Sequence, residues 1–189
     1  MDDLYIKKVL GGDTEGFRYF IKNYKDLAFS VAISVVKDEF WAEEVVQESF
    51  IKVFKNLKSF KGRSSFKTWF YRIVINEAFK RQRAEQKAVV YKDEFKESEL
   101  NEVESTLAGM NRDEQIVMVH EALKVLSSKE NLVLRLFYLE GQDTKTISEE
   151  TGWSDANIRV ILHRARKNML SVVKQLLNKE LNAECYEAS

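Results

Sequence analysis

Apolar residues recur along most of this chain at intervals of three and four, the spacing that places them on one face of an α-helix. No stretch alternates convincingly between apolar and polar residues, and the 189 residues include no proline. The pattern therefore predicts an all-α protein. Asp13 and Asp38 are placed to cap long helices, and Gly11 and Gly141 are placed to end shorter ones.

The helical pattern lapses over residues 88–112, where acids, Ser and Asn replace most of the large apolar residues. We therefore predict two helical domains joined by a flexible acidic linker. The first domain is a bundle over 1–87, the linker covers 88–112, the second domain covers 113–180, and 181–189 form a frayed tail. The positions expected in the two cores are Trp41, Val45, Phe50, Phe54, Phe66, Trp69, Phe70, Ile73, Val74, Ile116, Val119, Leu123 and Leu126.

Residues 143–167 predict a helix, a tight turn and a second helix. Asp143 and Ser154 can cap the two helices through their side-chain oxygens, and Gly152 suits the turn between them. The buried face of the second helix is expected to carry Ile158, Ile161, Leu162, Ala165 and Met169. The outward face carries Ala156, Asn157, Arg159, Val160, His163, Arg164 and Lys167. Such a face is typical of a helix that reads bases in the DNA major groove, although a helical hairpin with a solvated basic face has the same periodicity.

The formal net charge is zero, so the distribution of charge is more informative than its sum. The predicted helix 66–87 is basic and aromatic-rich, with Phe66, Trp69, Phe70 and Tyr71 near its start. Its polar stripe consists of Thr68, Arg72, Asn76, Lys80, Arg83 and Lys87. Cations contact phosphates, Asn can pair with a base edge, and aromatic rings stack on exposed bases. The helix is therefore a candidate for binding strand-separated DNA; alternatively, the rings are core and the stripe is solvated.

An acidic patch is expected on the helix that follows Asp38. It consists of Glu39, Glu43, Glu44, Gln47 and Glu48, and no cation lies between residues 38 and 50. Acids near a helix N-terminus are favoured by the helix dipole, which explains part of this run. A run of this length goes further and is typical of a docking surface for a basic partner.

Composition argues against several other classes of protein. Cys185 is the only cysteine, which excludes an internal disulfide and fits a reducing compartment. The acidic N-terminus lacks the apolar segment of a signal peptide, so a cytoplasmic protein is expected. The chain has two histidines, His120 and His163, and no metal-ligand or nucleophile–base spacing. An enzyme is therefore not expected, and neither is a cofactor or a metal.

Three separated segments together resemble a bacterial extracytoplasmic-function (ECF) sigma factor of RNA polymerase. They are Ala42-Glu-Glu-Val-Val-Gln-Glu-Ser-Phe50, Ser65-Phe-Lys-Thr-Trp-Phe-Tyr-Arg-Ile-Val-Ile-Asn76 and Ile158-Arg-Val-Ile-Leu-His-Arg-Ala-Arg166. The resemblance covers about residues 5–178, with the segments in the family's order. It implies a first domain that docks on the clamp coiled coil of RNA polymerase and recognises the −10 promoter element. It implies a second domain that docks on the β flap and reads the −35 element as duplex, and it makes an anti-sigma factor a further expected partner.

Carried over residue by residue, the resemblance assigns clamp docking to Glu44, Gln47 and Glu48. It assigns −10 recognition to Trp69 and Asn76, and −35 reading to Arg159, Val160, His163 and Arg164. Three positions depart from the family. Asp is common where Glu44 stands, Thr where Asn157 stands, and Arg or Lys where Ile161 stands, which puts the −35 sequence preference in doubt.

The complete set of expected −10 contacts is Trp69, Tyr71, Arg72, Asn76, Lys80 and Arg83. The expected −35 contacts are Asn157, Arg159, Val160, His163, Arg164 and Lys167. The alternative function is a stand-alone helix-turn-helix regulator with an N-terminal sensor or dimerisation bundle. That alternative accounts for the second domain but leaves the acidic patch and the Trp69–Asn76 cluster without a role.

Overall fold

The computed structural model describes residues 1–86 and 111–187, with residues 85–86 and 179–187 described by their backbone alone. Within these ranges all regular structure is helical, which confirms the predicted all-α class. The N-terminal half contains α1 (Asp2–Leu10), α2 (Arg18–Val36), α3 (Glu39–Asn56) and α4 (Phe66–Gln86). The C-terminal half contains α5 (Arg112–Val125), α6 (Ser128–Leu134), α7 (Thr144–Thr151) and α8 (Asp155–Glu187). The predicted linker lies almost wholly outside the described residues.

Local capping rules fix the starts of the N-terminal helices. Asp38 caps α3 as predicted, because its Oδ1 accepts a hydrogen bond from the Trp41 backbone N–H at 3.0 Å. Asp13 instead caps a 3-10 turn over Thr14–Phe17, which leads directly into α2. Its Oδ1 accepts from the Gly16 N–H at 3.3 Å.

Helices α2, α3 and α4 pack around one apolar core, as the three- and four-residue spacing predicts. Phe50, Phe66 and Phe70 are buried there, and the Phe70 ring contacts the rings of the other two. Phe54 does not join the core as expected. It is 44 % exposed and covers the edge of the bundle, where its ring meets that of Phe17.

The C-terminal half begins with two capping boxes. At the second, Ser127 and Glu130 exchange hydrogen bonds at the start of α6, as predicted. Helix α6 then passes into a π-helical turn over Arg135–Leu139, and Gly141, with φ of 62°, supports the change of direction that follows. Helix α8 continues to Glu187, so most of the predicted tail is helical.

Ile116 and Val119 on α5 are exposed, contrary to the expectation that they belong to the core. Leu123 is buried as predicted, and Met118 and Ala122 are buried in place of the two exposed residues. The apolar stripe of α5 is therefore split between the core and the surface.

The two halves pack directly against each other. Helix α2 contacts α6, helix α4 contacts α7, and the apolar core runs without a break across the contact. The sequence did not predict this contact between the halves. No helix in the described part of the chain is long and apolar enough to cross a membrane.

Candidate nucleic-acid and polymerase interfaces

The helix-turn-helix is built as its caps predict. Asp143 Oδ1 accepts from the Thr146 N–H at 2.7 Å, and this backbone hydrogen bond holds the pKa of the Asp143 carboxyl below its usual value. Gly152 ends α7 with φ of 75°, the left-handed conformation that favours glycine. Ser154 Oγ then accepts from the Asn157 N–H at 3.3 Å at the start of α8. These bonds fix the angle at which α8 leaves the turn.

The base of α8 is firmly buried. Ile158 and Ala165 are fully buried and Leu162 is 4 % exposed, whereas Ile161 and Met169 are only half-buried. The opposite face projects outward, and its exposed members are Ala156, Asn157, Arg159, Val160, His163 and Arg164. Apart from Lys167, which is half-buried, the predicted −35 residues thus share one accessible surface.

The two arginines of this face differ in their surroundings. Arg159 Nη2 lies 2.9 Å from Asp155 Oδ2, one helical turn earlier. Arg164 has no such ion pair within the described ranges. Arg164 therefore keeps its full set of donors for an external acceptor, whereas Arg159 would first have to leave Asp155.

On α4, the predicted polar stripe is exposed at Arg72, Asn76, Lys80 and Arg83. Lys80 lies 3.8 Å from Glu77, a buried acid that also binds Lys52 of α3. The part-buried pair of Lys52 and Glu77 ties α4 to α3 and helps to fix the rotation of the stripe about the helix axis.

The aromatic residues of α4 divide into two groups. Phe66 and Phe70 are core residues, as one of the sequence interpretations proposed, and Trp69 is half-buried against the rings of Phe60 and Phe66. Tyr71 is only 1 % exposed, because the C-terminal half covers it. Burial raises the pKa of its phenol, and the nearby Glu140 and Glu150 carboxylates raise it further. In this arrangement DNA cannot reach Tyr71.

The neighbours of Tyr71 on the stripe also meet the C-terminal half. The Arg72 guanidinium donates to the backbone carbonyl of Glu149 in α7. Asn76 and Trp153 both line a groove of about 540 Å³ between the halves. Two of the predicted −10 residues, Tyr71 and Arg72, therefore contact the C-terminal half, while Asn76, Lys80 and Arg83 stay exposed.

The acidic patch of α3 is open. Glu44, Gln47 and Glu48 are all exposed on the side opposite the buried Val45 and Phe50. The ion pairs found among the described residues do not involve these acids. The patch also adjoins Ile51 on α3, which is 52 % exposed. An acidic surface with an apolar neighbour suits a basic partner that also buries apolar area.

A second open surface was not found from the sequence. It is an apolar groove of about 600 Å³ between α5, the π-helical turn and α8. Its apolar lining includes Ile116, Val119, Leu134, Leu139, Met169 and Leu170. Periodicity marked some of these positions as apolar, but it cannot distinguish a buried core position from one that lines an exposed groove.

Comparison with protein families assigns both halves. Residues 20–88 match the model described as Sigma-70 region 2, and residues 116–169 match Sigma-70, region 4. The chain is 30 % identical over 184 residues to the RNA polymerase sigma-H factor of Pseudomonas aeruginosa, covering 93 % of this chain and 95 % of that one. It is 26 % identical over 184 residues to the ECF RNA polymerase sigma-E factor of Haemophilus influenzae, covering 93 % and 97 %.

The chain belongs to the ECF family of RNA polymerase sigma factors. Region 2 includes the acidic patch and α4, and region 4 includes the helix-turn-helix. The fold also resembles that of the sigma factor RpoE from Bartonella quintana, solved in complex with the anti-sigma factor NepR. The TM-score is 0.63 at 21 % identity, over 84 % of this sigma factor and 96 % of that one.

Proposed function

We propose that this sigma factor binds core RNA polymerase and directs promoter-specific initiation by reading two DNA elements in different forms. Helix α8 reads the −35 element as duplex, and α4 reads the −10 element after its strands have separated. The observation that carries the proposal is the presence of two basic polar stripes on separate helices, each set on a buried apolar base.

The −35 element is assigned to α8 because its exposed face has the composition of a major-groove reader. Arg164 and Arg159 can form bidentate hydrogen bonds to guanine, and Asn157 can do so to adenine. Val160, 48 % exposed between them, offers an apolar surface for a thymine methyl group. Lys167 lies farther along the helix, where a phosphate contact is the natural role.

The opened −10 element is assigned to α4. A base removed from the stack loses a few kcal/mol of stacking and pairing, which contacts to the protein must offset. Asn76 supplies an amide for a base edge, while Arg72, Lys80 and Arg83 supply cations for the backbone. Trp69 and Tyr71 supply rings for stacking, although Tyr71 does so only when the two halves separate.

Two surfaces away from the exposed polar faces of α4 and α8 are assigned to the binding of core polymerase. The acidic patch at Glu44, Gln47 and Glu48 fits a basic partner, and we assign it to the clamp coiled coil. The apolar groove beside α5 fits an amphipathic helix, and we assign it to the β flap. An anti-sigma factor that occupies either surface would be a natural inhibitor in the cytoplasm.

Transcription in vitro with core RNA polymerase and a pool of genomic promoters tests the whole proposal. We expect the sigma factor to produce transcripts from a discrete subset of promoters that share −35 and −10 motifs. The alternative, a stand-alone regulator, predicts tight dimeric binding of the chain to duplex DNA without polymerase and no polymerase-dependent initiation. Either of those results would overturn the proposal.

The docking assignment has its own test. Charge reversal at Glu44→Lys and Glu48→Lys should weaken core binding by about a hundredfold, because like charges across an interface cost several kcal/mol. Glu15→Lys is the control, since Glu15 is exposed in the same half but lies outside the patch. Equal core affinity of the double variant and the control in a competition assay would contradict the assignment.

A further inference from the structure

Three hydrogen bonds join the two halves near the C-terminal end of α2. Ser128, the first residue of α6, donates from Oγ to the Val35 carbonyl at 2.7 Å. Gln82 of α4 donates to the same Ser128 hydroxyl, and Lys37 donates to the Leu126 carbonyl. Ser128 is only 7 % exposed, so its hydrogen bond to Val35 is largely shielded from water, whereas Lys37 lies at the exposed edge of the cluster.

Further contacts fasten the middle of the interface. Arg135 Nε donates to Ser30 Oγ at 2.8 Å, and burial lowers the pKa of the Arg135 guanidinium. The Tyr71 hydroxyl donates to Glu140 Oε2 at 3.2 Å. The rings of Phe79 and Trp153 meet edge to face with centroids 5.8 Å apart. The contact is therefore a built interface with apolar and polar parts, rather than a loose approach of two surfaces.

The interface contacts part of the face of α4 that is assigned to the opened −10 element. Tyr71 is buried in it, the Arg72 guanidinium is bound to the Glu149 carbonyl, and Asn76 and Trp153 both line the groove between the halves. A DNA strand that contacts Tyr71 and Arg72 would therefore have to displace the C-terminal half.

Promoter geometry leads to the same conclusion. Elements centred near −35 and −10 are about 25 base pairs apart, or roughly 85 Å along B-form DNA at 3.4 Å per pair. In this structure the two readers belong to one packed body, with α4 against α7 and α7 against α8. The 24 residues between Gln86 and Asn111 could reach about 80 Å if fully extended, so the chain length permits the halves to part.

We propose that the packed arrangement is a self-inhibited state, in which the C-terminal half blocks the −10 reading face of α4 until the two halves separate. The inhibitory partner is the chain's own region 4, so no second protein is required for the block. This inference rests on the proposed roles of α4 and α8, but it adds a regulatory contact that those roles do not require.

A variant that opens the interface tests the inference. Ser128→Glu removes the hydrogen bond to the Val35 carbonyl and brings a carboxylate that this carbonyl repels, while a carboxylate at the first turn of α6 is favoured by the helix dipole. Thr14→Glu is the matched control, because Thr14 is an exposed first-turn residue away from the interface. Circular dichroism checks that both variants keep their helices.

Two readouts apply to the full-length chain. By small-angle scattering the wild type and Thr14→Glu should have a radius of gyration of about 16 Å, as expected for a compact chain of this length, and Ser128→Glu should be larger. With a fluorescent pool of random single-stranded DNA, Ser128→Glu should bind at least about fivefold more tightly, because its binding face is no longer shared with a competitor.

A second variant shifts the balance the other way. Ser30→Asp would give Arg135 a charged partner across the interface, so we expect it to stay compact and to bind the single-stranded pool about threefold more weakly than Thr14→Glu. All three variants carry the same added charge, so opposite effects cannot arise from charge or from misfolding.

Two results would overturn the inference. One is a wild-type chain that is already extended in solution; the other is a Ser128→Glu variant that opens without any gain in single-stranded binding. The proposed function is judged separately, by whether wild-type chain and core polymerase initiate at specific promoters. Promoter-specific initiation together with an extended wild-type chain would reject self-inhibition alone.

Discussion

Helices α4 and α8 are built alike but are presented differently. Each has a buried apolar base and a polar stripe of Arg, Lys and Asn. Within the described residues, the stripe of α8 contacts no other element along most of its exposed length, whereas that of α4 is exposed but meets the C-terminal half at Arg72, beside the buried Tyr71.

The difference matches the DNA that each helix is proposed to read. Duplex DNA is always present, so a major-groove helix can be permanently displayed. An opened −10 strand exists only during initiation, and a permanently exposed basic aromatic face would bind any single-stranded nucleic acid. Covering α4 therefore restricts its binding to the stage at which it is needed.

The largest expected effect is a loss of stability when the buried base of α8 is truncated. Ile158→Ala should destabilise the protein by about 2–5 kcal/mol, because Ile158 is fully buried beneath the reading face of α8. Ile161→Ala, at a half-buried position on the same helix, should lose about half as much or less. Urea denaturation measures both, and equal losses would contradict the burial described for α8.

A smaller effect is expected on base discrimination by the exposed face of α8. Arg164→Ala should reduce discrimination at one −35 base pair by roughly 1–3 kcal/mol, as expected for loss of a bidentate contact. Arg159→Ala should lose less, because Arg159 is paired with Asp155. Holoenzyme binding to −35 sites with single-base changes measures the loss.

Lys174→Ala is the control for this series, since Lys174 lies well beyond the start of α8 and should change only the salt dependence. If Arg164→Ala lowers affinity evenly for every −35 sequence, its role is a phosphate contact. Base reading would then fall to Asn157, Val160 and His163.

The smallest expected effect is a pH dependence of the packing between the C-terminal half and α4. Burial raises the pKa of Glu150 from 4.5 to about 7, with Glu140 and Glu149 adding to the shift and Lys67 of α4 opposing it. Tyr71 is the other titratable group that faces it from α4. The packed state therefore keeps a proton that the separated state releases. Packing is strongest below about pH 4.5 and weakens as pH rises through about 7.

If the Glu150 carboxyl returns to its ordinary pKa on separation, the packed-to-open ratio falls by up to about twentyfold between pH 5.5 and 7.5. Single-stranded DNA binding by the full chain should strengthen over that interval. Glu150→Gln keeps the shape and the hydrogen bond with Gln142 but cannot titrate, so its binding should be nearly independent of pH. The same pH dependence in both proteins would assign the effect to another group.

Local features of this fold were predictable from the sequence because they depend on a few neighbouring residues. The caps at Asp38, Asp143 and Ser127 and the left-handed turn at Gly152 all lie where the sequence indicates. The exposed polar face of α8 was also predictable, because one helix carries both its buried base and its polar stripe.

Features that depend on distant parts of the chain were not predictable. Helical spacing marks Ile116 and Val119 as apolar, but it does not reveal that no element of residues 1–86 and 111–187 covers them. Tyr71 fits either a DNA stripe or a core, and its burial depends on Glu140, 69 residues away along the chain. Packing between the two halves has no local sequence signal.

The most direct test of the central claim, that α4 and α8 read different promoter elements, is one selection from a pool with both elements randomised. Core polymerase would be combined in turn with the wild-type chain, Asn76→Ala and Arg164→Ala. We expect Asn76→Ala to alter only the selected −10 motif and Arg164→Ala to alter only the −35 motif. A variant that alters the other helix's motif, or a wild type that selects no motif at either position, would contradict it.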